Sequence, residues 1–199
     1  MKKHEEILFF WFGNTNLVEK PLKEKTDIWF KKSDETDKEI KEKFEKYLKE
    51  DVENFQVETI ETPEEALGYI ILLDQFSRNI FRNTPMSFHF DTKALEIAIY
   101  SYNKGFDLNI DLTKRIFFYL PLEHSENIAN QLLCLEKFDI LVNKSSEDMK
   151  DKMMFFKDYA IRHYDVIKKF GRFPHRNNIL GRESTKEEIE FLKQPNSSF

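Results

Sequence analysis

The run TPEEALGYIILLDQFSRNIFRN, residues 62–83, opens on acids, becomes a solid apolar block, and then turns polar where a buried helix should stay apolar. Thr62 is placed to cap a helix, with Pro63 in the first turn and Glu65 three residues on. At that spacing cap and glutamate satisfy each other's backbone donors. The same signature predicts helix starts at Thr36 with Glu39, in TDKEIKEKFEKYL, and at Ser184 with Glu187, in STKEEIEFL. Asp91 and Ser125 read as caps of two further helices. Gly13, Gly105 and Gly171 each follow an amphipathic run, where a left-handed residue stops a helix. Gly68 falls inside a helix and predicts a close helix–helix approach. Pro121 predicts the end or interruption of another. FQVETI, residues 55–60, alternates in part but has no partner run. The pattern predicts an all-α fold of roughly eight to ten helices, mostly in antiparallel neighbouring pairs. No linker or composition shift divides the chain, so residues 1–199 read as a single domain.

Composition changes this picture little. Of 199 residues, 40% are hydrophobic and 34% charged, as expected of a soluble folded domain with a sizeable core. The 20 phenylalanines read as core material. A net charge of −5 argues against a nucleic-acid partner. The lysine- and glutamate-rich stretch Lys38–Glu53 reads as a solvated helix face. Cys134, alone and flanked by leucines, excludes an intramolecular disulfide and a multi-cysteine metal site, and reads as a buried small hydrophobe. The N-terminal run ILFFWF is too short to span a bilayer and no small-residue cleavage site follows it. No membrane association and a cytoplasmic location are therefore expected.

The candidate chemistry lies in three polar stretches. In DQFSRNIFRN, Asp74, Arg78 and Arg82 are spaced four apart and share one stripe, with Gln75 and Asn79 on the next. The stripe holds more cations than acids. In YLPLEHSENIANQ, Glu123, His124 and Glu126 gather at a helix junction, and His124 is a candidate proton carrier. In FGRFPHRNNILGRES, Gly171 and Pro174 stop a helix, while Phe173, Ile179 and Leu180 can anchor an irregular loop carrying Arg172, Arg176, Arg182 and His175. Just upstream, Tyr159 and His163 share a helix face. Arginine forks grip carboxylate or phosphate at two points, as lysine cannot. No two of the five histidines have helical ligand spacing, so no metal site is expected. No nucleophile elbow, phosphate-cradling loop or dinucleotide fingerprint is present, and no cofactor is expected.

Together DQFSRNIFRN, YLPLEHSE and FGRFPHRNNILGRESTKEEIEFL resemble a bacterial family catalogued as domain of unknown function 924. The resemblance runs from FWFG to the terminal SSF. Ser77 stands where proline is usual in that family. The resemblance implies an all-helical, compact fold similar to tetratricopeptide-repeat (TPR) proteins, a degenerate α-α superhelix. The family motifs fall on Asp74, Gln75, Arg78, Asn79, Arg82, His124, Ser125, Glu126, His175, Arg176, Asn177, Arg182 and Glu183. No activity comes with it.

The residues support three readings. The first is a pocket for a small anionic metabolite, with acid–base chemistry open to it. Gln75, Arg78, Asn79, Arg82, Arg176, Asn177 and Arg182 would bind the ligand. His124 would carry the proton, Asp74 or Glu126 would orient it, and His175 is the alternative carrier. The second, from fold analogy, is an adaptor for a protein or peptide partner. The third is that the polar motifs only lock helices together.

Overall fold

The computed structural model describes residues 2–13, 27–29, 31–51, 55–195 and 197–198. Among them are nine α-helices and no strand. These are α1 (Lys3–Phe12), α2 (Asp34–Asp51), α3 (Pro63–Ile70), α4 (Ser77–Ile80), α5 (Asp91–Lys104), α6 (Leu112–Glu123), α7 (Ile128–Lys144), α8 (Glu147–Phe170) and α9 (Lys186–Leu192). A π-helical turn, Ile71–Phe76, joins α3 to α4 without a break in the helical path. FQVETI forms no strand: Val57–Thr59 is one 3₁₀ turn. Lone alternation without a partner strand leaves a ladder unformed.

Helix boundaries follow local chemistry, with shifts. Thr62 caps α3 as expected, its Oγ1 accepting from Glu65 N at 3.2 Å; the Glu65 carboxylate, however, accepts from Glu61 N. Ser33, not Thr36, opens α2 by accepting from Thr36 N. Asn127, not Ser125, caps α7, and Thr185, one residue past Ser184, forms the capping box of α9 with Glu188. In each case a second cap-competent residue stands within a few positions. Pro121 lies inside α6. Gly105 and Gly171 end their helices in the left-handed region, both at φ 70°.

The core is aromatic at one end. Phe10, Trp11, Trp29, Phe44, Phe76 and Phe117 pack edge to face or tilted, and Trp29 Nε1 donates to Trp11 O. On α2, Ile40, Phe44, Tyr47 and Leu48 are buried while Lys38, Glu39, Glu42 and Lys43 are exposed. The solvated face expected for Lys38–Glu53 thus holds as far as it is described; Glu53 lies outside the described residues. Cys134 is fully buried. Helices α7 and α8 form a hairpin joined through Ser145 and Ser146. At the far end Val166, Ile167 and Phe173 make a second apolar cluster with Phe170 and Phe191, which pins the loop after α8 to the body. No helix among the described residues is long and apolar enough to cross a membrane.

Candidate functional site

The π turn sets the site. Its wider turn inserts polar residues into an apolar helix, and such turns recur at functional sites. Asp74 sits in it, fully buried. Asp74 Oδ1 lies 2.7 Å from His124 Nδ1, and Gln75 Nε2 donates to Asp74 Oδ2 at 2.6 Å. Arg78, one turn on, places Nη1 at 3.4 Å from Asp74 Oδ1 and grips both oxygens of Asp91 at 3.0 and 3.1 Å. Asp91 is the first residue of α5 and does not cap it; its carboxylate is spent on arginines. Arg176, from the loop after α8, donates Nη1 to the same Asp91 at 3.2 Å and Nη2 to His124 O at 3.1 Å. Arg78 and Arg176, distant in sequence, therefore meet at the Asp91 carboxylate, and Arg176 ties in the His124 stretch through its carbonyl.

These groups border a cavity of about 240 Å³ whose wall includes Arg78, His124, His163, His175 and Arg176. The Arg176 guanidinium stacks on Phe88 and Phe173, each ring centroid 4.6 Å away. It is buried, and its Nε–H has no partner among the described residues. A second hollow of about 440 Å³ shares Phe88, His124 and Arg176 and is edged by Asp91 and Glu126.

The protonation states follow from burial and charge. Burial favours the neutral acid at Asp74, but Arg78, His124 and Gln75 together hold it far below the usual carboxylate range. Burial lowers His124, against a partial lift from Asp74. Burial, then the charge of Asp74, raises Glu123 to about 8. Burial, then His124, brings His163 to about 3, and burial, then Arg176, brings His175 to about 4. Arg176 is lowered to about 10 by burial and by Arg78, and stays cationic at neutral pH. The 3.3 Å contact between His163 Nδ1 and Glu123 Oε1 is accordingly a meeting of neutral groups near pH 7.

Several expected site residues go elsewhere. The four-residue stripe is broken, because α4 ends at Ile80. Arg82 and Asn79 both turn to Asp37 on α2; Arg82 still edges the cavity. The acid that the stripe lacked comes from other helices. Glu126 does not orient His124: its carboxylate accepts from Arg182 at 2.7 and 2.9 Å and from Phe173 N at 2.8 Å. Asn177 ties down the C-terminal segment through Ser184 and Glu188. Arg172 grips Glu188. Asp74, Arg78, His124, His175 and Arg176 do come together. Sequence reading missed Asp91, taken for a cap, and gave no site role to Glu123, His163 or Phe88. The spacing of His163 from Tyr159 was the only local hint. Although no two histidines have ligand spacing in sequence, Glu123, His124 and His163 each bring a donor atom to within 4.8 Å of the others.

The profile of a bacterial protein family of unknown function, DUF924, matches residues 7–196. The chain belongs to this family. The chain is similar to a solved structure of a protein of unknown function, ATU0120, from Agrobacterium tumefaciens, with a TM-score of 0.75 and 29% identity. That similarity covers 96% of this chain and 97% of the other. No curated protein matches. The DUF924 match takes in all three polar stretches, so the site described above lies within the shared domain.

Proposed function

We propose that the cavity bordered by Arg78, His124, His163, His175 and Arg176 binds a small metabolite carrying a carboxylate or phosphate, with proton chemistry open to its histidines. Arg176 carries this reading. It is buried, stacked between two rings, shares its one carboxylate with Arg78, and retains a donor with no partner among the described residues. A guanidinium held so rigidly loses little entropy on gripping an anion. With Nδ1–H directed at Asp74, His124 keeps Nε2 as its acceptor. The α7–α8 hairpin supports reading the fold as a degenerate TPR-like superhelix.

A second reading, that polar motifs lock helices together, is favoured for Arg82, Arg172 and Arg182, each paired with a carboxylate. The two readings separate by calorimetric titration with inorganic phosphate, succinate and citrate. At least one should bind, and Arg176→Gln should weaken it at least tenfold, as expected for a lost charge-assisted bond of roughly 1.5–3 kcal/mol. Arg172→Gln should leave affinity unchanged. Failure of all three anions, or equal binding by Arg176→Gln, would sink the proposal.

A further inference from the structure

We propose that Glu123, His124 and His163 form a site for one divalent transition-metal ion of the zinc class, beside the same cavity. The inference stands on this cluster and not on the anion reading. The three residues come from the end of α6 and the middle of α8, and one donor atom of each lies within 4.8 Å of the others. Tetrahedral ligands about 2.0–2.2 Å from zinc sit roughly 3.4 Å apart, so the closure required is of the order of one side-chain adjustment. Two imidazoles and one carboxylate leave a coordination position open, the pattern of a centre that keeps room for water or an anion.

Two features beyond proximity support the site. His124 has an outer partner at Nδ1, Asp74 Oδ1 at 2.7 Å, while His163 Nδ1 faces both Tyr159 O at 2.9 Å and Glu123 Oε1 at 3.3 Å. Metal-ligating histidines are typically held as His124 is, which leaves its Nε2 for the metal. Glu123 is also unusual. Its side chain is buried, and among the described residues its contact is with His163 and with no arginine or lysine. Without a cation such a buried carboxyl keeps its proton; a metal ion would displace that proton and balance the carboxylate.

The test is titration of metal-stripped, full-length protein with Co²⁺, followed by visible absorption, and with Zn²⁺ by calorimetry. One saturable equivalent is expected. His163→Ala and Glu123→Gln should each weaken binding at least a hundredfold. Asp74→Asn, at a positioning residue, should weaken it about 10–100-fold. His89→Ala, at an exposed histidine outside the cluster, should bind as the parent does. Absence of a saturable equivalent, or parental affinity in both ligand variants, would overturn the site. Should a variant fail to fold, histidine ¹⁵N spectra of the parent chain decide the matter. Zn²⁺ must then shift His124 and His163, and unmoved resonances reject the proposal. Phosphate titration of the metal-free protein tests the anion reading separately.

Discussion

Arg82 and Arg176 carry the same group and meet different fates. Arg82 finds a carboxylate of its own, Asp37, which also accepts from Asn79. Arg176 shares Asp91 with Arg78 and stacks on two rings in place of a second acid. Position in the chain does not predict which arginine is used for stitching; the nearest acid in space does. Arg82→Ala should therefore lower stability by about 1–3 kcal/mol, since it leaves a half-buried carboxylate short of its charged donor. Thermal or urea unfolding reads that loss, and anion affinity should stay within a factor of about two. A variant with parental stability and lost binding would move Arg82 into the binding site.

Elements are shaped by contacts that local pattern only hints at. Gly68 lies where α3 meets α1: a Cβ built there would stand 2.5 Å from His4 Cβ and 2.9 Å from His4 Cα. The expected close approach is real, and the obstacle is partly backbone. Gly68→Ala should destabilise by about 1–3 kcal/mol despite the better helix propensity of alanine. His4→Ala in the same chain should fail to restore stability, because the Cβ of residue 4 remains. Unfolding curves of the single and double variants check both statements. The π turn is the other such element. Its widened backbone puts Asp74 beside His124, where an unbroken four-residue stripe had been expected. Pro121 forfeits one backbone donor inside α6, yet the buried residues on both sides, Leu120 and Leu122, hold the helix together.

At the scale of the molecule, the C-terminal segment is fastened twice. Glu126 holds Arg182 and Phe173 N, and Glu188 holds Arg172, Asn177 and Thr185 N. The Arg172 fork, then the Thr185 backbone donor, keeps Glu188 down at about 2, against an ordinary value of 4.5. A carboxyl depressed on folding stabilises fully above its unfolded value and loses that contribution as pH falls through its folded one. Melting temperature should therefore fall as pH drops from about 4.5 toward 2. Glu188→Gln should melt lower at neutral pH and show a shallower acid slope. A parallel slope in the variant would place the acid sensitivity elsewhere.

Helix content, glycine stops and the all-α class were legible in the chain because they rest on neighbours three or four residues apart. The anchoring of the 171–182 loop by Phe173 was legible too, since a large apolar residue in a proline- and glycine-broken segment must bury somewhere. Caps slipped by one to three residues at Ser33, Asn127 and Thr185, where equivalent hydroxyl or amide groups crowd together. Pairing was beyond local reading. Asp37 with Arg82, Asp91 with Arg78 and Arg176, and His163 with Glu123 join residues from segments far apart in the chain. Charge interactions depend on distance through space, and one-dimensional spacing carries no record of which helix faces pack together.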